Sequence, residues 1–326
     1  MKKILITGGA GYVGAVLTPH LLSKGYSVTV LDLMIYGDEV LKKHSNLKVV
    51  KGDIRNRVLL NKLIPGHDTV IHLACISNDP SFELNPKLGK SINLDAFEPL
   101  VEISKKNSVN RLIYASSSSV YGIKKEDNVD ESMSLEPLTD YSKFKADCEA
   151  VLKKYESKTF TPVVVRPATV CGYSPRQRLD VVVNILTNLA YHKRAISVFG
   201  GTQQRPNIHI QDMVRSYETI IEAPREKVVG QIFNVGFENQ TVLELAETVK
   251  QAVGDDVELK TIPTNDNRSY HISSKKIKNI LGFEAKFTIL DAVNDLKSAF
   301  EKGLLPNSLT DEKYFNIKRM NSIKLD

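Results

Sequence analysis

Two spacings of apolar residues alternate along the first half of this chain. Short strand-like runs, rich in Val, Ile and Leu, occur at 4–7, 27–31, 47–51, 69–73, 111–116 and 161–166. Between them apolar positions recur with a period near 3.6, most clearly over 85–106 and 141–158. The first spacing predicts buried strands and the second amphipathic helices. Their alternation predicts an α/β fold, a doubly wound parallel sheet covered by helices on both faces. After Arg166 and Pro167 the pattern loosens. Helices are predicted over 179–191, 208–222, 243–253, 273–281 and 289–302, with a strand at 231–235, while 304–326 is polar and weakly patterned. The expected division is a sheet domain over 1–166 and a smaller α/β domain over 167–326, with later segments returning to the first sheet.

The first strand runs directly into a glycine cluster. Gly8, Gly11 and Gly14 follow it, and from Val13 onward Val16, Leu17, Leu21 and Leu22 share one helical face. In this strand–turn–helix context each glycine has a task. Gly8 turns the chain off the strand, Gly11 clears the backbone for a pyrophosphate, and Gly14 lets the helix lie close to the sheet. Free N–H groups around Tyr12 and Val13, with the positive end of the helix dipole, then face an anion. The second strand ends in Asp32, about 20 residues further on, where a carboxylate accepts from an adenosine ribose and repels a 2′-phosphate. No arginine follows Asp32 closely. The expected cofactor is therefore NAD rather than NADP.

Composition narrows the class without changing this picture. The 326 residues are 42% hydrophobic and 25% charged, as in ordinary globular proteins. A net charge of +6 is scattered, with no run of five basic residues, which argues against nucleic acid as a partner. No apolar stretch approaches the roughly 18 residues of a membrane span. Cys75, Cys148 and Cys171 show neither metal spacing nor an even disulfide framework, so no metal site is expected and a cytoplasmic setting is.

Two stretches carry candidate chemistry. Tyr141 and Lys145 stand four apart on a predicted helix, so both project from one face. An ammonium beside the phenol favours the phenolate, as does a positively charged nicotinamide, and the pair can serve as a general base near neutral pH. Ser116, Ser117, Ser118 and Ser119 close the fifth strand at its carboxyl end, where one hydroxyl can bond a substrate oxygen. At least two of the four are expected to satisfy the turn's own backbone.

Together, the segment Gly8–Gly14, Asp32, Gly52–Ile54, His72–Ala74, the serines before Val120, Tyr121 and Gly122, and the Tyr141/Lys145 pair resemble the extended short-chain dehydrogenase/reductases. Within them the chain resembles the NAD-dependent epimerase/dehydratase family acting on nucleotide sugars, near the UDP-glucose 4-epimerases. The resemblance covers roughly residues 1 to 290 and implies a Rossmann-type sheet. It also implies catalysis by Ser117, Tyr141 and Lys145, with Tyr141 and Lys145 touching the cofactor as well. Asp53 and Ile54 would lie at the adenine, Leu73 and Ala74 beside the cofactor ribose, and Asn93 on a helix bracing the site. A nucleotide-diphosphate sugar would meet Ser77, Asn78, Ser117, Ser118 and Asn184. Arg205 and Arg268 would clamp its diphosphate, a task suited to a planar cationic fork. Arg176 and Arg178 read equally as structural or as ligand-facing.

Departures from the family pattern narrow the reaction. The 4,6-dehydratases carry an Asp–Glu pair at the two positions before the valine, and the 3,5-epimerases a Cys just before it. Here Ser118 and Ser119 stand there. The expectation is 4-epimerisation through a 4-keto sugar. A 4-dehydrogenase or 4-ketoreductase, or a non-catalytic NAD-binding protein, stays open. The family also implies a homodimer through the 85–106 and 141–158 helices, where Leu94, Phe97, Leu100 and Phe144 read as apolar surplus.

Overall fold

The computed structural model describes residues 1–126, 128–264, 269, 271–323 and 325. Arg268, the second expected diphosphate clamp, lies outside them. Twelve strands occur in the described residues. They are β1 (Lys3–Thr7), β2 (Ser27–Asp32), β3 (Leu47–Lys51), β4 (Thr69–His72), β5 (Arg111–Ala115), β6 (Thr161–Pro167), β7 (Thr169–Cys171), β8 (Ala195–Phe199), β9 (Gln204–His209), β10 (Ile232–Val235), β11 (Glu238–Thr241) and β12 (Glu258–Ile262).

Seven of them form one parallel sheet in the order β10-β6-β5-β4-β1-β2-β3. The central strands are buried on both faces, which is why their sequences run continuously apolar. Strand order reverses beside β1, so the carboxyl ends of β1 and β4 open a crevice there. The helix Gly14–Ser23 lies on one face of the sheet. On the other lie Phe97–Lys106 and the catalytic-candidate helix Asp140–Lys154, whose Cys148 and Leu152 share a core with Leu100, Leu112 and Val164.

The second half does not separate at residue 167. β10 pairs with β6, and Ile210–Glu222 packs against Gly14–Ser23, so both are part of the sheet unit. The remainder forms a smaller unit. Its antiparallel and parallel pairings, β11-β9-β7 and β12-β8, are covered by helices Val182–Lys193, Val242–Val253 and Ile289–Glu301.

Two expectations need correction here. Phe97 and Leu100 are 1% and 0% exposed, and Leu94 packs on the same core. Phe144 meets Phe82 edge-on at 5.5 Å. These side chains are used inside the protomer, because the two helices pack on each other as well as on the sheet. The 304–326 tail is not patternless either: Asn316–Ser322 is a helix.

Candidate active site

A cleft of about 380 Å³ follows the carboxyl ends of the parallel strands. One end is the glycine turn. Gly8 has φ +75°, and a Cβ there would stand 2.5 Å from the Ala74 nitrogen at the end of the neighbouring strand. A Cβ on Gly14 would meet Gly8 O at 2.5 Å and Gly9, so this glycine closes the turn on itself rather than on the sheet. Gly11 meets only Gly8 O, at 3.2 Å, and faces the cleft as the pyrophosphate reading requires. Asp32 lies beyond, its two oxygens accepting from the backbone N–H of Ala10 at 3.0 Å and Met34 at 2.8 Å. Burial raises its pKa, partly offset by those donors. Gly8, Gly11, Tyr12, Val13, Gly14, Asp32, Ile54, Leu73 and Ala74 all line the cleft.

The other end holds the candidate chemistry. The helix Asp140–Lys154 starts at Thr139, whose hydroxyl accepts from Ser142 N while Ser142 Oγ accepts from Thr139 N. Ser142, between Tyr141 and Lys145, is thus a capping residue. This start fixes which face points into the cleft: Tyr141 and Lys145 both line it. Lys145, 5% exposed, donates from Nζ to Ala115 O at 2.6 Å, at the end of β5. The same ammonium lies 5.8 Å from the centre of the Tyr141 ring and 5.0 Å from that of Tyr114. Ser117 follows in extended backbone. Its Oγ accepts from Ser119 N at 3.1 Å and contacts Ser119 Oγ at 2.8 Å. Ser116 is turned away, onto buried Glu149, which also holds Arg166 at 2.6 Å. All four serines line the cleft, Ser116 with its hydroxyl committed to Glu149, and the carboxylates lining it among the described residues are Asp32 and Asp79.

Several expected contact residues have other employment. Asn93 is 5% exposed and bonds Ile76 twice, through Oδ1 to its N–H at 2.8 Å and through Nδ2 to its carbonyl at 2.9 Å. It braces the loop after β4 and does not line the cleft. Asp53 is held by Arg55 at 2.7 Å. Asn184 is fully buried, accepting from Gly172 N and donating to the Tyr12 hydroxyl at 2.9 Å and to Arg178 O at 2.8 Å, so it ties the second half to the glycine turn. Asn78, at φ +73°, caps a short helix through Ser81 N; it and Ser77 still line the cleft. Arg205 lines a second chamber of about 170 Å³ that shares the walls Asp79, Ser119 and Thr169 with the first.

The C-terminal segment was not expected here. Asn316, Met320 and Leu325 line the cleft. Asn316 donates to Ser77 Oγ at 2.9 Å, and Arg319 donates to Ile35 O at 2.5 Å, so the segment spans from the loop after β4 to the loop after β2. The polar, weakly patterned sequence of 304–326 carries no signal for this.

A glycine turn, a ribose-facing carboxylate, and a tyrosine and lysine at the far end together define a dinucleotide-dependent enzyme. The open side of Gly11 and the crowded Gly8 and Gly14 fit a cofactor's phosphates. The model of the NAD dependent epimerase/dehydratase family matches residues 4–236, and the chain belongs to that family. Its cofactor is NAD. An uncharacterized UDP-glucose epimerase, YtcB, of Bacillus subtilis is 31% identical over 77% of this chain and 82% of its own. A dTDP-glucose 4,6-dehydratase of Streptomyces niveus is 26% identical over 89% of this chain and 90% of its own. The solved UDP-glucose 4-epimerase of Thermotoga maritima superposes with a TM-score of 0.84 at 25% identity, covering 93% of this chain and 99% of that one.

Proposed function

We propose that this enzyme is a nucleotide-sugar 4-epimerase working through a 4-keto intermediate. The observation that carries the reading is the cleft's far end. Tyr141 and Lys145 face it from one helix, Ser117 faces it from β5, and serines stand at 118 and 119 in place of a carboxylic pair. Loss of water from a sugar needs an acid and a base beyond the tyrosine, and two hydroxyls cannot supply them near neutral pH.

In this reading Ser117 Oγ bonds the C4 oxygen. Tyr141 Oη takes the C4 hydroxyl proton and later returns it. Lys145, fixed on Ala115 O, holds positive charge beside the phenol and would face the nicotinamide end of a bound cofactor. NAD held along the cleft would supply the reversible hydride chemistry at C4. The protein contributes position and electrostatics. Gly8, Gly11, Tyr12, Val13, Gly14, Asp32, Ile54, Leu73 and Ala74 hold the cofactor, while Asn93 and Asp53 act only from behind, through Ile76 and Arg55. Ser77, Asn78 and Ser118 meet the sugar, and Arg205, with Arg268 of the family pattern, meets the diphosphate.

Incubating the protein with NAD and UDP-glucose, UDP-glucuronic acid or dTDP-glucose, and following the anomeric and C4 protons by NMR, tests the reading. A C4 epimer is expected from one of them. A 4-keto-6-deoxy product would instead mark a dehydratase, and net reduction of NAD a dehydrogenase. The unpaired state of Cys75, Cys148 and Cys171 supports a reducing, cytoplasmic setting; no helix among the described residues is long and apolar enough to cross a membrane. A homodimer rests on the family likeness, and light scattering at micromolar concentration tests it.

A further inference from the structure

Arg176 is 4% exposed, lines the cofactor cleft, and leaves its Nε without a hydrogen-bond partner. Its guanidinium lies 3.4 Å from the centre of the Tyr36 ring, and Nη2 donates to Asn316 Oδ1 at 2.7 Å. Among the described residues no carboxylate pairs with it. Its neighbours differ. Arg178 is paired with Asp180 at 2.6 Å, Arg166 with Glu149 at 2.6 Å and Arg319 with Glu312 at 2.6 Å. A buried, unpaired guanidinium is a costly arrangement unless an anion arrives to complete it.

The position of Arg176 says which anion. The 172–178 loop is fastened to the glycine turn: Ser174 Oγ donates to Tyr12 O at 2.8 Å, and the Tyr12 hydroxyl donates to Gly172 O at 2.6 Å. Arg176 therefore faces the same length of cleft as the turn, whose N–H groups and helix N-terminus attract phosphate. It also acts electrostatically on Asp32 and Tyr36, toward the adenosine end. A 2′-phosphate would compete with the Asp32 carboxylate there, whereas the diphosphate bridge would not.

We propose that Arg176 is a phosphate-binding residue of the cofactor site, its planar fork supplying the positive charge to the diphosphate bridge of NAD opposite the glycine turn. The glycine turn offers neutral donors from one side, and Arg176 the neutralising cation from the other. Tyr36 and Asn316 hold the fork in place until the anion enters.

The test separates the phosphates from the rest of the cofactor. Affinities of wild type and Arg176→Gln for ADP-ribose and for adenosine are measured by calorimetry or competition. The expected result is a loss of about tenfold or more for ADP-ribose, the range for charge-assisted hydrogen bonds, with adenosine changed less than about twofold. Ligand-free unfolding of Arg176→Gln should occur at or above the wild-type temperature, because an unpaired buried charge has gone. An equal loss for both ligands, or no loss for ADP-ribose, overturns the proposal. Should Arg176→Gln fail to fold, Arg176→Lys decides: a smaller loss confined to ADP-ribose is expected, and a loss shared by adenosine overturns it. Wild type that binds no ADP-ribose would overturn the cofactor site itself.

Discussion

The Lys145 ammonium lies 5.8 Å from the centre of the Tyr141 ring, one helical turn further along the same face. The hydrogen bond that its Nζ donates to Ala115 O fixes that relationship to the sheet rather than to the helix alone. The charge is therefore held where a phenolate would form.

Replacing Tyr141 by Phe removes the acid–base hydroxyl and leaves the buried core intact, since Tyr141 is not part of it. Turnover should fall about 10²- to 10⁴-fold, the usual worth of a positioned acid–base. NAD affinity, read by fluorescence or calorimetry, should stay within about threefold, as expected where at most one hydrogen bond among many cofactor contacts is lost. A variant that keeps most of its activity would move the base elsewhere.

Gly8→Ala should unfold the cofactor turn. The new Cβ would stand 2.5 Å from Ala74 N and 2.8 Å from Leu73 C, in a backbone conformation at φ +75° that side chains rarely adopt. Backbone cannot swing aside as a flexible side chain can. A destabilisation above about 2 kcal/mol is expected from chemical denaturation, with NAD binding lost.

His72 gives the fold an acid limit. It is 2% exposed, contacts Thr7 Oγ1 through Nδ1 at 2.6 Å, and burial, helped by Lys145, lowers its pKa to about 3. Between its unfolded value of 6.5 and about 3 the unfolded chain binds the extra proton. Stability from this group is therefore complete above pH 6.5 and falls as pH drops, by up to about 1.4 kcal/mol per pH unit. Denaturation midpoints of wild type and His72→Gln between pH 7 and 4 should converge on acidification. Parallel curves would show that His72 is not the group responsible.

Arg205→Ala should raise KM for the nucleotide sugar more than it lowers kcat, because diphosphate contacts serve ground and transition states alike. A loss of about 1.5–3 kcal/mol in binding is the expected size. Calorimetry with UDP and dTDP isolates the effect from catalysis, and unchanged nucleotide affinity would remove Arg205 from the site.

The central strands of the first domain were legible because they are buried on both faces and read as apolar runs, and 161–166 matches β6 almost to the residue; the edge strand β3, half-exposed with Lys48 and Lys51, was legible from its Leu and Val residues alone. β7, β9 and β11 were not, since Thr169–Cys171 is three residues long and Gln204–His209 carries Pro206 and Asn207. Within the site, spacing placed Tyr141 and Lys145 correctly on one face. It could not show where short polar side chains find partners. Asn184 and Asn93 are spent on backbone groups of Gly172 and Ile76, contacts made across long stretches of chain. Arg176 stayed ambiguous for the same reason, because its lack of a carboxylate is a fact of the packed structure.

The pairing of β10 with β6 also bears on synthesis. Val164 N bonds Gln231 O and Ala168 N bonds Val235 O, so the edge of β6 stays open until residue 235 has left the ribosome. At roughly 5–20 residues per second, the emerging chain carries an uncapped apolar strand edge for several seconds. Nascent chains of this protein therefore pass through a window of self-association that ends when β10 docks, and slow codons placed between residues 167 and 235 would lengthen it.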